Sequence, residues 1–185
     1  MHRTVLVLAI SGLSAQNLPD LQRALSGSWV GTLEYRDFSE PATSTKRVKL
    51  PTWLRIEPSG DDLRFRYIYD DGPSKTVKET SLIRVDPAAA RYTVLDEAGK
   101  VEDSYVIAGL PELRSGRGVL TLTGSGKENG AQVEVRTTLR IGRNILEITR
   151  ETAASGQSFT FRHAYTLVRA APPEIVESKK EPTGR

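Results

Sequence analysis

The sequence predicts an all-β protein, a single antiparallel up-and-down β-barrel of about ten strands with a short N-terminal helix. Apolar and polar residues alternate with a period of two along most of the chain after residue 27, which is typical of strands with one buried face. The turns between these segments, rich in Gly, Pro and Asp, are too short for parallel crossovers. A ten-strand meander exposes two edges, and closure removes both, which favours a barrel over a two-sheet sandwich.

The first fifteen residues have the layout of a secretory signal peptide. A short basic start, Met1–Thr4, precedes nine mostly apolar residues, Val5–Leu13, and the small residues Ser14 and Ala15. We predict a signal peptide over 1–15, with cleavage after Ser14 or after Ala15, and a secreted or periplasmic protein. The alternative is an apolar strand or helix of the fold. The apolar stretch is too short to span a bilayer, so we expect no transmembrane segment.

The predicted barrel domain covers residues 17–169. Leu18, Leu21 and Leu25 share one face of a helix, and Ser26-Gly27 ends it. The period then changes to two, and the predicted strands are Ser28–Arg36, Arg47–Glu57, Leu63–Tyr69, Lys75–Val85, Arg91–Asp96, Val101–Ala108, Gly118–Thr123, Gln132–Ile141, Asn144–Glu151 and Phe159–Val168. Gly124–Gly130 is interpreted as a hairpin turn.

Two parts of the chain are less regular. The strand near Val101 is ambiguous, because Tyr105 and Ile107 point one way while Val106 and Ala108 point the other. The tail, residues 170–185, carries three prolines and few apolar residues. Such a segment buries too little apolar surface to offset the entropy of ordering, so we expect it to be disordered.

Composition excludes several function classes. The chain has no cysteine, which excludes thiolate metal sites and cysteine nucleophiles, and its two histidines, His2 and His163, cannot form a multi-histidine metal site. The 26 basic and 23 acidic residues are well mixed, so we expect no nucleic-acid partner. No nucleophile–base pairing can be assembled, so we expect a protein that is not an enzyme, with no cofactor and no metal.

The start of the first strand carries a family resemblance. Gly27-Ser28-Trp29 resembles the Gly-x-Trp motif of the calycin superfamily, which includes lipocalins and fatty-acid-binding proteins. The resemblance implies that Trp29 closes the barrel base and that a late arginine, Arg169 or Arg162, packs over it. Ten strands resemble the fatty-acid-binding proteins more, and also nitrobindin-like barrels, whose Gly-x-Trp-x-Gly start is matched by Gly27–Gly31. The long C-terminal helix of lipocalins and the portal helix pair of the fatty-acid binders are not predicted.

The aromatic faces of the third and last strands form the candidate site. Tyrosine combines an apolar body with a polar tip, as ligand pockets require, although it is also common in plain strand packing. The candidate ligand-binding residues are Trp29, Tyr35, Phe65, Tyr67, Tyr69, Tyr105, Phe161, His163 and Tyr165. His163 is alternatively a neutral imidazole hydrogen-bonded within the core.

These features lead to one functional expectation and two alternatives. We expect an exported, non-catalytic barrel that binds a small hydrophobic or amphipathic molecule in its interior. The first alternative is a ligand-free scaffold that binds a protein partner through loops 37–46 and 109–117, as an inhibitor or an envelope component. The second, which the nitrobindin resemblance implies, is haem binding through His163.

Overall fold

The computed structural model of the chain describes residues 12–37, 39–40, 44–128 and 130–170. Residues 1–11 of the predicted signal peptide and 171–185 of the predicted tail lie outside this part. The described residues form one helix and ten strands. These are α1 (Gly12–Leu25), β1 (Gly27–Arg36), β2 (Arg47–Ser59), β3 (Asp62–Asp70), β4 (Thr76–Asp86), β5 (Arg91–Leu95), β6 (Val101–Ala108), β7 (Gly118–Glu128), β8 (Ala131–Ile141), β9 (Ile145–Ala153) and β10 (Thr160–Arg169).

The strands form a closed antiparallel barrel in which each strand pairs with the next along the chain and β1 pairs with β10. The predicted all-β meander is therefore confirmed. At the closure, Trp29 lies opposite Arg169 and Gly31 opposite Leu167. A Cβ at Gly31 would lie 2.0 Å from the carbonyl oxygen of Thr166. Glycine is thus required for β1 and β10 to approach closely enough to close the barrel.

The interpretation of Gly124–Gly130 as a turn is wrong, because β7 continues to Glu128 and pairs with β8 over its whole length. Gly124 and Gly126 are strand residues in crowded places. A Cβ at Gly124 would meet the Tyr105 ring at 2.9 Å, and one at Gly126 would meet Val135 at 3.2 Å. Glycine in a strand can mark a close approach as well as a turn, and the local sequence does not distinguish them.

Strand β6 resolves the ambiguous alternation. Tyr105 and Ile107 are buried, whereas Val106 is 53% exposed. β6 pairs with β7 over three positions only, Val106–Ala108 with Thr121–Thr123. The Val101–Tyr105 half of β6 is paired with β5 but not with β7. The ladder of backbone hydrogen bonds in the barrel wall is therefore interrupted between this half of β6 and β7.

Helix α1 covers one end of the barrel, which we call the helix end. Leu21 and Leu25 are buried there, and Trp29 is completely buried with its Nε1–H donating to the Leu25 carbonyl at 2.8 Å. The guanidinium of Arg169 lies 4.2 Å from the Trp29 ring centroid. Arg169, and not Arg162, therefore occupies the position over the tryptophan. Arg162 instead lies 3.4 Å from Glu128.

The strand directions place the connecting loops at two ends. β1 runs from the helix end to the far end, so the described residues of loop 37–46, which are 37, 39–40 and 44–46, lie at the far end, whereas 109–117 connect β6 to β7 at the helix end. Loop 109–117 is anchored in the core by Leu110 and Leu113, which are buried. Within the described residues, no helix has the length and apolar character needed to cross a membrane.

Candidate functional site: a cavity inside the barrel

A cavity of about 240 Å³ lies inside the barrel, among residues of β3 to β10. One part of its wall is apolar, and this part is formed by Phe65, Ile83, Val94, Leu122, Leu139 and Ile148. The remaining lining is polar or aromatic, and the exposed side chain of Glu102 on β6 forms part of it. The cavity therefore reaches solvent beside the unpaired half of β6.

Three tyrosines form one cluster at the cavity. The rings of Tyr67 and Tyr69 stack with centroids 5.7 Å apart, and Tyr165 lies 5.3 Å from Tyr67. The Tyr69 and Tyr165 hydroxyls hydrogen-bond at 2.9 Å, and Tyr69 donates to Glu79 at 3.3 Å. Burial raises the pKa of Tyr67 and of Tyr69 well above the ordinary value. All three hydroxyls therefore stay protonated at neutral pH.

Arg150 brings a charge into the cavity. Strand β9 alternates so that Leu146, Ile148 and Arg150 point inward. The Arg150 guanidinium lies 5.6 Å from the centroid of the Tyr105 ring. In the described part of the chain, no carboxylate lies within ion-pair distance of it. Arg150 is therefore a cation that forms no ion pair, at an interior cavity whose lining also includes the Asp103 carboxylate.

Tyr105 contributes an unsatisfied polar group beside that cation. Its hydroxyl is buried and has no hydrogen-bond partner among the described residues. Burial, opposed by the charge of Arg150 and reinforced by the neighbouring Asp103 carboxylate, raises the pKa of Tyr105 to about 12, so the hydroxyl is protonated and able to donate. A buried polar group without a partner costs about 1–3 kcal/mol, and it is rare in folded proteins. The arrangement suits a ligand oxygen that accepts from both Tyr105 and Arg150.

His163 lines the same cavity and meets the edge of the Tyr165 ring, with centroids 5.6 Å apart. Its predicted alternative, an imidazole hydrogen-bonded within the core, is not observed, because His163 makes no hydrogen bond to another described residue. Burial, and then the positive charges of Arg150 and Arg162, lower the pKa of His163 to about 4. At neutral pH, it therefore presents a neutral imidazole.

The lowered pKa of His163 predicts a pH dependence of stability. Because the folded state holds this proton less tightly than the unfolded chain, stability falls as the pH drops from about 6.5 to about 4. The expected loss is about 3 kcal/mol. Urea unfolding of wild type and His163→Gln between pH 4 and pH 7 measures it. The variant should lose less stability over this range, and identical profiles would contradict the prediction.

The nine predicted site residues divide into two groups. Phe65, Tyr67, Tyr105, His163 and Tyr165 line the cavity, and Tyr69 is buried directly behind them. The other three lie elsewhere.

Trp29, Tyr35 and Phe161 are not part of the cavity lining. Trp29 belongs to the helix end, and Tyr35 is half-buried opposite His163. Phe161 packs under the guanidinium of Arg47, 4.7 Å from its ring centroid. A β-bulge between Phe161 and His163 shifts the register of β10. Phe161 therefore leaves the face that simple alternation assigns to it.

Twelve residues that line the cavity are absent from the predicted set, among them Tyr92, Ser81, Thr137 and Arg150. The sequence does indicate an inward position for Arg150, since this residue follows Leu146 and Ile148 at a spacing of two. Charge argues against an inward position unless a partner is known. Ser81 and Thr137 carry no sequence signal that separates them from surface residues.

Comparison with known proteins supports the fold. The sequence matches no protein-family model, and it matches no curated protein. Among solved structures, the barrel is similar to that of Rv2717c from M. tuberculosis, with a TM-score of 0.54 and 20% sequence identity over 83% of this chain and 98% of that one. At this identity, the likeness shows a shared barrel fold.

Proposed function

We propose that this protein is a binding protein that holds one small amphipathic molecule inside its barrel. The observation that carries the proposal is the proximity, at the wall of a cavity, of the buried Tyr105 hydroxyl, which has no hydrogen-bond partner among the described residues, and the half-buried Arg150 guanidinium, which forms no ion pair there. Buried cations and hydroxyls are normally paired. A ligand oxygen, as in a carboxylate, satisfies both groups. The apolar part of the ligand packs against residues such as Phe65 and Leu122.

The cavity limits the size and charge of the ligand. Its volume of about 240 Å³ is below the range of about 300–1,000 Å³ that is typical of pockets for drug-sized ligands. Arg150 is the cation among the described lining residues, because His163 is neutral. Three carboxylates also line the cavity, those of the exposed Glu79 and Glu102 and of the half-buried Asp103. A second anionic group near them is disfavoured, so the ligand class is a small monoanion with an apolar body.

Calorimetric titration with three compounds of equal chain length tests this proposal. Octanoate, octan-1-ol and octylamine share an apolar chain and differ in the head group. We expect octanoate to bind most tightly. Arg150→Gln should weaken octanoate binding at least tenfold, because a charge-assisted hydrogen bond contributes about 1.5–3 kcal/mol. Tyr105→Phe should weaken it by a smaller factor.

The matched control is Arg140→Gln, which removes the same charge from an exposed residue of β8. This variant should bind octanoate as the wild type does. If none of the three compounds binds, the proposal fails. If Arg140→Gln and Arg150→Gln weaken binding equally, the cavity is not where the head group binds.

Haem through His163 is the alternative that the nitrobindin resemblance implies. The neutral imidazole, which faces the cavity, favours it. The cavity volume argues against haem binding, because a haem is at least as large as a drug-sized ligand and would protrude from a cavity of about 240 Å³. Titration of the wild type and of His163→Ala with hemin distinguishes haem binding from binding of the small amphipathic molecule. A Soret shift that His163→Ala abolishes would replace the amphipathic ligand by haem.

The protein-partner alternative has less support. The described residues of loop 37–46 lie at one end of the barrel and loop 109–117 lies at the other, so these described residues do not form one surface. Export remains part of the proposal on the sequence of residues 1–15 alone. Expression with and without these residues, followed by fractionation, tests it.

A further inference from the structure

A second concave surface lies outside the barrel at the helix end. We call it the base groove. It has a volume of about 370 Å³ and lies between α1, loop 109–117, the β8–β9 turn and the end of β10. Polar side chains dominate its lining, and they are Asp20, Arg23, Ser115, Arg117, Arg143, Asn144 and Arg169. It shares no residue with the interior cavity.

The base groove carries an excess of positive charge. Asp20 forms an ion pair with Arg23 at 2.7 Å, so this pair is neutral. Within the described residues, Arg117, Arg143 and Arg169 form no ion pair. Three guanidinium charges therefore surround one groove without a carboxylate to balance them. Such crowding of like charges is unfavourable unless an anion joins them.

Arg169 is held rigidly in this groove. Its guanidinium donates to the main-chain carbonyls of Ala24 and Ser26, each at 2.7 Å, and to that of Arg143 at 3.4 Å. These acceptors are neutral, so they fix its position without cancelling its charge. Burial, and then the nearby Arg117, lower the pKa of Arg169. The lowered pKa means that the surroundings of Arg169 disfavour its positive charge. The guanidinium nevertheless remains protonated at neutral pH.

Arg117 is also positioned by the backbone. The turn from Arg114 to Arg117 is closed by two main-chain hydrogen bonds, at 2.8 and 3.1 Å. Gly116 in this turn has φ +72°, and a Cβ there would lie 2.1 Å from the Asp20 carbonyl oxygen. The turn is thus packed tightly against α1. The turn therefore fixes the backbone position of Arg117, while its side chain is exposed to solvent.

We propose that the base groove binds a phosphate group, carried either by a soluble molecule or by the head group of an anionic lipid. Guanidinium groups match phosphate oxygens through paired N–H donors. Three of them balance the charge of a phosphate better than that of a single carboxylate. Asn144 and Ser115 add neutral hydrogen-bonding groups at the rim.

Exposed apolar residues next to the groove could contact the acyl chains of a lipid whose phosphate occupies the groove. Ile145 and Val168 lie opposite each other in register and are both exposed. They adjoin the groove residues Asn144 and Arg169 in sequence. A phosphate head group in the groove would place acyl chains near this apolar pair.

The test compares two charge-matched double variants. Arg117→Gln with Arg143→Gln removes two exposed cations from the groove. Lys78→Gln with Lys127→Gln removes two exposed cations from β4 and β7, outside the groove. Arg169 is left unchanged, because it also supports the fold. Inorganic phosphate is titrated while backbone amides are followed by NMR, and binding to phosphatidylglycerol and phosphatidylcholine vesicles is measured by co-sedimentation.

We expect phosphate to shift the amides of residues 115–117 and 143–144, and the groove variant to weaken phosphate binding at least tenfold. The lysine variant should bind as the wild type does. If the protein binds phosphatidylglycerol vesicles but not phosphatidylcholine vesicles, and the groove variant weakens that binding, the phosphate is carried by a lipid. If the protein binds inorganic phosphate but neither kind of vesicle, the phosphate is carried by a soluble molecule. Two results would overturn the proposal: binding to neither probe, or equal weakening by both double variants. The octanoate titration is unaffected by either result, so the two sites are tested independently.

Discussion

Replacing Gly31 by alanine is expected to prevent closure of the barrel. The added Cβ would lie 2.0 Å from the Thr166 carbonyl oxygen and 3.0 Å from the Leu167 Cα. Both atoms belong to the backbone of β10, which cannot move away without breaking its pairing with β1. Overpacking by one methyl group usually costs 1–3 kcal/mol. We expect a loss of more than about 3 kcal/mol here, because no flexible side chain can yield.

Urea unfolding of the Gly31→Ala protein measures this loss. Gly60→Ala is the matched control, because its Cβ would meet nothing within 4 Å. Gly60 has φ +65°, so the control should still lose about 1–2 kcal/mol from left-handed strain. An unfolding midpoint for Gly31→Ala at or above that of the control would contradict the account of closure.

Trp29→Ala is expected to have the second large effect. Trp29 is completely buried, donates to the Leu25 carbonyl and lies under the Arg169 guanidinium. Truncation of a buried aromatic residue costs about 3–5 kcal/mol. It also removes the surface against which Arg169 packs. The variant should unfold at a lower urea concentration and lose the near-ultraviolet signal of a rigid tryptophan.

A double-mutant cycle separates packing from coupling at the helix end. Trp29→Phe and Arg169→Ala are measured alone and together, and we expect a coupling free energy of about 0.5–3 kcal/mol. The control cycle pairs Trp29→Phe with Arg162→Ala, an arginine of the same strand that lies near Glu128 instead. Its coupling should be close to zero. Equal coupling in both cycles would contradict a specific Trp29–Arg169 contact.

The sequence predicted the order and the type of the elements because alternation is a local signal. β3 has its core face at Leu63, Phe65 and Tyr69 as alternation indicates, and short turns allow only pairing with the next strand. The errors are also local. The sequence predicts a turn at Gly124, which lies in β7, because a glycine that makes room for a neighbouring tyrosine ring and a glycine that a turn requires cannot be distinguished in sequence.

The candidate site was less predictable because it depends on contacts across the barrel. Arg150 belongs to β9 and Tyr105 to β6, and these strands are not neighbours. No spacing along the chain shows that their side chains meet inside the barrel. The bulge that moves Phe161 away from the cavity arises in pairing with β9, and it is likewise invisible in the sequence of β10 alone.

We propose that the barrel interior binds a small amphipathic anion, and magnetisation transfer between octanoate and protein methyl groups tests this proposal most directly. With octanoate bound, nuclear Overhauser effects should connect its chain to methyl groups at the cavity wall, those of Ile83, Leu122 and Ile148. Arg150→Gln should abolish them at the same octanoate concentration. Effects confined to the exposed methyl groups of Val119 and Val168, or none at all, would contradict the claim.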